Sequence, residues 1–138
     1  MLTTPITHPE LLAALARCGH GSKILLADGN YPHVTGVPAI AERIGLNVTA
    51  GLLTVDQILG PLSRSLPIES CDFMLTAEST KAPAVVGYEE ILPAVTFNGH
   101  ERFAFYAAAR EPDVAVVIAT GDDRQYANLL LTVGVVSP

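Results

Sequence analysis

Short, almost continuously apolar segments constrain the fold of this chain more than any other feature. Lys23–Ala27 reads KILLA, Val114–Thr120 reads VAVVIAT, and Leu129–Val136 is a third apolar run. Strands that lack polar alternation are typical of sheets covered on both faces. We predict a further strand over 73–77 and helices over 7–18, 54–66, 87–94 and 101–110. This alternation predicts one α/β domain over residues 1–138, with three α/β/α layers around a mostly parallel or mixed sheet.

The composition excludes several classes of protein. The 138 residues are 49% hydrophobic and only 16% charged, whereas disordered chains are poor in apolar residues and rich in net charge. A membrane-spanning helix needs about 18–20 apolar residues in succession, and the longest clean run here is Val114–Ala119. Because the N-terminus also lacks a basic segment, we expect a cytoplasmic protein without membrane contact. Hydrophobic residues are more frequent here than in an ordinary soluble domain, and we expect the surplus to favour self-association.

Charge and cysteine usage argue against nucleic-acid and cofactor binding. The net charge is −6 and the eight basic residues are scattered, so the basic patch of a nucleic-acid binder is missing. Cys18 and Cys71 form neither a disulfide framework nor a metal motif. Gly19–Lys23 resembles part of a phosphate loop, but a predicted helix precedes it and a strand follows, which is the reverse of the required order. The sequence therefore indicates no metal, nucleotide or redox cofactor.

Polar residues at the ends of predicted elements are the candidates for chemistry. Asp28 follows a buried strand, where open α/β sheets carry ligands, although an ordinary Asp-Gly turn is the alternative. His20 stands between two glycines, and histidine is the one side chain whose unperturbed pKa lies near neutrality, at about 6.5; a solvated or capping residue is the alternative. Arg102 begins a helix, where a cation is unfavourable beside the helix dipole, and this placement favours a role in binding a ligand. Tyr126 and Asn128 lie in a turn and could orient a polyol or serve only the turn.

Several fragments, in this order and spacing, resemble the RbsD/FucU family of sugar mutarotases and pyranases over nearly the whole chain. They are Pro9-Glu10-Leu11-Leu12, Gly19-His20-Gly21, Ala27-Asp28, Arg102-Phe103-Ala104-Phe105-Tyr106, Ala119-Thr120-Gly121 and Tyr126-Ala127-Asn128-Leu129-Leu130-Leu131. The resemblance implies a cofactor-free isomerase that interconverts the anomers of a monosaccharide. It also implies a higher homo-oligomer, which is decameric in bacterial relatives.

The resemblance also assigns roles to particular residues. It implies that His20 donates a proton and that Asp28, Arg102 and the segment Tyr126-Ala127-Asn128 bind the sugar. The R-F-x-F-Y pattern at 102–106 favours L-fucose as the sugar, while Ser22 departs from the acid that fucose-type relatives often have there. A D-ribose pyranase and a non-catalytic sugar-binding or transport-accessory protein are the alternatives.

The predicted topology separates His20 from the other candidates. A helix over 101–110 followed by a strand over 114–120 returns the chain toward Arg102, and this brings Tyr126 close to it. Asp28 lies on the same edge if the strands run parallel. His20 instead precedes its strand, and eight extended residues at about 3.3 Å each place it up to roughly 26 Å from Asp28. We therefore expect a composite site in which His20 acts across a subunit interface.

Overall fold

The computed structural model describes residues 1–138 as one mixed sheet with helices on both faces. The strands are β1 (Lys23–Ala27), β2 (Glu42–Gly45), β3 (Ile68–Met74), β4 (Thr96–His100), β5 (Val114–Ala119) and β6 (Leu129–Val133). The helices are α1 (Pro9–Ala16), α2 (Val55–Ser63), α3 (Pro83–Ile91) and α4 (Arg102–Ala109). This architecture confirms the predicted α/β/α fold.

The sheet has the strand order β2-β5-β1-β6-β3-β4. Strands β2, β5 and β1 run parallel to one another, as do β3 and β4. Only β6 is antiparallel, and it pairs with β1 on one side and β3 on the other. The start of β6 therefore lies at the edge where the other five strands end. We call this edge the carboxyl edge.

Two apolar layers fill the space between the sheet and its covering segments. Alternate residues of β1 point to opposite faces, so Ile24 and Leu26 pack in one layer and Leu25 and Ala27 in the other. Helices α1, α2 and α3 cover the first layer. Helix α4, with Phe105 fully buried, and the loop after β1 cover the second. Because both faces are covered, the central strands carry almost no polar side chains.

Local capping explains where three of the helices begin. His8 Nδ1 accepts a hydrogen bond from the Leu11 amide at the start of α1, and Gln57 Oε1 accepts one from the Thr54 amide at the start of α2. The Glu101 carboxylate accepts the amides of Phe103 and Ala104, which satisfies the first turn of α4. An anion at this position also offsets the unfavourable effect of a helix dipole on the neighbouring Arg102.

The predicted elements differ from the observed ones mainly at the edges of the sheet. Strands β1 and β5 and helix α4 lie where the apolar runs predicted them. The strand predicted over 73–77 has the wrong bounds, because β3 begins at Ile68. The helix predicted over 87–94 also begins too late, since α3 starts four residues earlier. Strands β2 (ERIG) and β4 (TFNGH) were missed, since these outermost strands are largely exposed and polar. None of the four helices has the length and apolar character needed to cross a membrane.

Candidate active site

The carboxyl edge carries a cavity of about 310 Å³ that contains four of the predicted residues. Asp28 enters from the end of β1, Arg102 from the start of α4, and Tyr126 and Asn128 from the loop between β5 and β6. The rest of the lining is Asn30, Tyr31, Met74, Tyr106 and Gln125. The strand topology produces this convergence, because the start of antiparallel β6 meets the end of β1.

Asp28 is buried, with 3% of its surface exposed, and both carboxylate oxygens accept hydrogen bonds. Oδ1 accepts the Asn30 amide at 3.0 Å. Oδ2 accepts the Ala127 amide at 3.2 Å and Asn128 Nδ2 at 2.9 Å. Asn128 Oδ1 in turn accepts the Asp28 amide at 2.8 Å, so the two residues form a reciprocal pair.

The pKa of Asp28 is raised above the ordinary value for aspartate. Burial is the main cause, because desolvation disfavours the charged form. The amides of Asn30, Ala127 and Tyr31 partly oppose this effect, and the negative charge of Asp122 adds to it. The carboxylate is thus held by neutral donors without a cation, which makes it a better proton acceptor than an exposed aspartate.

The loop over 120–128 forms part of the cavity wall through Gln125, Tyr126 and Asn128. Tyr126 has a φ of 59°, in the left-handed region, and a non-glycine residue in a sparsely populated region costs of order 1–3 kcal/mol. Ala127 is fully buried and contributes its backbone to the site. Its carbonyl accepts the Tyr88 hydroxyl of α3 at 2.8 Å, and its amide binds Asp28. The loop conformation therefore determines how the Asp28 carboxylate is bound.

Tyr106 is a cavity residue that the sequence reasoning missed. It lies one helical turn after Arg102 on α4, and both line the cavity. Its ring is 5.6 Å from that of Tyr31 and 5.8 Å from the Arg110 guanidinium. The i, i+4 spacing from Arg102 is the signal that could have identified it, because such residues share a helix face.

His20 does not line this cavity. It precedes β1, and the adjacent Gly21 amide donates to the carbonyl of Val133 at the end of β6, which identifies the opposite edge of the sheet. His20 Nε2 lies 2.9 Å from Glu69 Oε2, and the two side chains are 61% and 53% exposed. The five residues of β1 alone span roughly 16 Å at about 3.3 Å each. One copy of the chain therefore does not bring His20 and Asp28 together.

A second cluster of charges joins the loop over 120–128 to the first turn of α2. The fully buried Asp122 accepts hydrogen bonds from the Val55 amide at 2.9 Å and from Arg124 Nε at 2.9 Å. Burial raises the pKa of Asp122, but the bonds from Arg124 and Val55 outweigh burial and leave the pKa below its ordinary value. Arg124 also binds Asp56 in the first turn of α2. Sequence reasoning singled out none of these charged residues.

Two other observations complete the description of this edge. A larger, polar cavity of about 380 Å³ lies beyond Asn30, between the loops over 28–33, 47–50 and 120–123, and it contains none of the predicted residues. No three His, Cys, Asp or Glu side chains are placed to hold a metal ion. Of these two cavities, the one around Asp28 is the one that contains predicted residues.

A buried carboxylate, an arginine, phenol groups and an amide around a cavity of this size are groups suited to binding a small polyhydroxylated molecule. The sequence matches the RbsD / FucU transport protein family over residues 1–136. The chain belongs to the RbsD/FucU family, as the sequence fragments predicted.

Individual relatives agree with this assignment over nearly their full length. A fucose mutarotase from Bos taurus is 36% identical, covering 94% of this chain and 90% of the relative. A D-ribose pyranase from Paracidovorax citrulli is 30% identical, covering 98% of both chains. A fucose mutarotase from Streptococcus pneumoniae, whose structure is solved in complex with L-fucose, is 26% identical in sequence to this chain. It superposes with a TM-score of 0.83, over 99% of this chain and 100% of that one.

Proposed function

We propose that this chain is a sugar mutarotase that interconverts the α and β anomers of a monosaccharide, with L-fucose as its principal substrate. The observation that carries the proposal is the buried Asp28 carboxylate, held by neutral donors in a cavity that also contains Arg102, Tyr126 and Asn128. The similarity to fucose mutarotases supports the choice of sugar. We also propose a cytoplasmic location, because both cysteines are free and reducing compartments keep thiols in that state.

The proposed reaction is ring opening and closure by acid–base catalysis. A base removes the proton from the anomeric hydroxyl, an acid protonates the ring oxygen, and the bond between that oxygen and the anomeric carbon breaks. The resulting aldehyde rotates, and the reverse steps close the ring on its other face. Positioned acid and base groups contribute typically about 10²–10⁴-fold to such a step, and the reaction consumes no cofactor.

Asp28 is the proposed base, because burial raises the pKa of its carboxyl group and the residue lines the cavity. Arg102, Tyr126 and Asn128 would hold the remaining hydroxyl groups, and Ala127 acts through its amide on Asp28. Tyr106 is a further hydroxyl within the same cavity. Amide, phenol and guanidinium groups donate to sugar oxygens in directions fixed by their planes.

His20 is the proposed acid, and we propose that a second copy of the chain supplies it. Glu69 Oε2 lies 2.9 Å from its Nε2 atom, so a carboxylate is placed to hold and orient the imidazole. Self-association would also cover Phe103, which is 73% exposed and lines an adjoining cavity that Arg102 and Tyr126 share.

Subunit mixing tests the composite site. His20→Ala and Asp28→Ala chains are each expected to be inactive, whereas co-refolded mixtures should regain activity. With random assembly of equal amounts, about a quarter of the sites combine both intact residues, since each comes from a different copy. If mixing restores no activity, His20 and Asp28 do not meet in one site.

Magnetisation-exchange NMR of sugar anomers tests the reaction itself. L-Fucose should exchange faster with the protein than without it, and the Asp28→Ala variant should abolish the gain. The D-ribose pyranase alternative rests on the relative from Paracidovorax citrulli and predicts that D-ribose is accelerated instead. If neither sugar exchanges faster while both still bind, the chain is a sugar-binding protein and the mutarotase proposal is wrong.

A further inference from the structure

Arg124 is a strongly anchored cation that lies outside the sugar cavity. Its backbone amide and Nε donate to Asp122 Oδ1 at 3.1 and 2.9 Å, and Nη2 donates to Oδ2 at 2.6 Å. The same Nη2 atom binds Asp56 on α2. The guanidinium therefore bridges the loop over 120–128 and the first turn of α2. This fork geometry is specific to arginine, because lysine presents a single point charge.

Asp122 extends this bridge to the segment that carries Asp28. Its carboxylate accepts the Val55 amide at 2.9 Å, which ties the loop to the first residue of α2. Its backbone carbonyl accepts the Gly29 amide at 2.8 Å, one residue after Asp28. The pair Asp122–Arg124 is thus connected to both segments that shape the cavity, the turn after β1 and the loop before β6.

The position of Arg124 within the loop gives this bridge a consequence at the cavity. Arg124 lies two residues before the strained Tyr126 and three before Ala127, whose amide binds Asp28. A tyrosine with a left-handed backbone conformation persists only when the surrounding structure holds it there. The Tyr88 hydroxyl holds the loop at Ala127, and Arg124 holds it on the other side of Tyr126. The strained residue is therefore fixed from both sides.

We propose that Arg124 is a positioning residue for the sugar reaction, holding the loop over 120–128 against α2 so that Tyr126, Ala127 and Asn128 keep their places around Asp28. The reaction-based part of this inference rests on the proposed function. Arg124 acts through the loop and does not touch the sugar. A displacement of about 1 Å at a site can cost as much as 10²-fold in rate, so loosening the bridge should lower catalysis in a folded protein.

Four variants separate positioning from simple stabilisation. Arg124→Gln removes the bridge, Asp56→Asn weakens its arm to α2 by removing the negative charge there, and the double variant tests whether both changes act through one contact. Arg124→Lys keeps the charge beside buried Asp122 but cannot bind Asp122 and Asp56 with the same fork. Arg17→Gln is the matched control, because Arg17 binds the Glu42 carboxylate in an exposed pair on other elements.

The first measurement is independent of any sugar. Hydrogen exchange followed by mass spectrometry should show faster exchange over 121–131 in Arg124→Gln and Asp56→Asn, with β5 peptides unchanged. The Arg17→Gln control should match the parent protein throughout. Unchanged exchange over 121–131 in Arg124→Gln would overturn the proposal, whether or not the protein is a mutarotase.

The second measurement is anomer exchange, carried out below the unfolding temperature of every variant. Arg124→Gln should lower kcat/KM by roughly 10–100-fold, with Asp56→Asn intermediate and the double variant no worse than Arg124→Gln. Arg124→Lys should recover thermal stability but not activity. Activity that follows melting temperature across all variants would show that Arg124 is only structural. Absence of exchange in the parent protein contradicts the proposed function instead, and the hydrogen-exchange result then decides the role of Arg124.

Discussion

Replacing Asn128 with aspartate tests whether Asp28 works as a buried base. The substitution is nearly isosteric and keeps the oxygen that accepts the Asp28 amide at 2.8 Å. It changes only Nδ2, which donates to Asp28 Oδ2 at 2.9 Å, into a second carboxylate oxygen. Both residues are at least 96% buried, since 3% and 4% of their surfaces are exposed. Asn128→Asp therefore places two carboxylates in contact without enlarging either side chain.

The size of the effect follows from the separation of the two charges. Two like charges about 4 Å apart repel by roughly 4 kcal/mol at an effective dielectric constant of about 20. This energy corresponds to roughly a thousandfold increase in the affinity of the pair for its first proton. The two carboxyl groups then share one proton over a range in which Asp28 alone is ionised. A base that carries a proton cannot accept another from the anomeric hydroxyl.

Anomer exchange measured by NMR as a function of pH is the assay. In the parent protein the rate should fall as pH decreases through the pKa of Asp28, which burial raises. In Asn128→Asp this fall should occur at distinctly higher pH, with a large loss of rate at neutral pH. Asn47→Asp adds the same charge at an exposed position outside the cavity and should leave the profile in place. An Asn128→Asp profile that coincides with the parent profile would refute the assignment of Asp28 as base.

Three further predictions concern the supports of the site. Tyr88→Phe leaves the buried Ala127 carbonyl without its donor, which should cost about 1–3 kcal/mol and lower the melting temperature by roughly 3–10 °C in calorimetry; an unchanged melting temperature would contradict this. The pKa of Asp122 is lowered in the fold, so its stabilisation is present above the unfolded-state pKa and is lost as pH falls through the folded-state value. Asp122→Asn should therefore flatten the acid side of a stability curve from urea unfolding, and an unchanged slope there would argue against it. Gly121→Ala places a methyl group on two backbone carbonyl oxygens of the loop over 49–52 and should destabilise the chain by about 1–3 kcal/mol, whereas Gly19→Ala, with open space around it, should retain most of the stability.

The central strands and their edge could be predicted because a single physical cause produces them. A strand covered on both faces must be apolar along its length, so β1 and β5 were visible in the sequence. Polar residues directly after such strands must then lie at the carboxyl edge, and this placed Asp28 correctly. Strand β2 (ERIG) could not be found in this way, because only Ile44 among its residues is buried. Its pairing with β5 depends on tertiary contacts, which the local pattern of apolar residues does not reveal.

The supports of the site were hidden from sequence reasoning for a similar reason. Tyr88 lies 39 positions from Ala127, and Asp56 lies 68 positions from Arg124. Nothing local to Tyr88 distinguishes a hydroxyl that supports a loop from an ordinary core tyrosine. Glu69 likewise becomes a candidate only through its contact with His20, which lies 49 positions away in the sequence. Residues that receive a ligand can be recognised at strand ends, whereas residues that hold them in place require the fold.

The contrast between Asp28 and Asp122 gives the strongest physical reason to assign the chemistry to Asp28. Both carboxylates are buried near the same edge, with 3% and 0% of their surfaces exposed. Arg124 neutralises Asp122, whose pKa is lowered, while Asp28 meets only neutral donors and its pKa is raised. Environments that move the pKa values of two nearby acids apart can give the two groups different roles. Asp122 remains an anion that ties the loop to α2, and this contrast supports the proposal that Asp28 is the base.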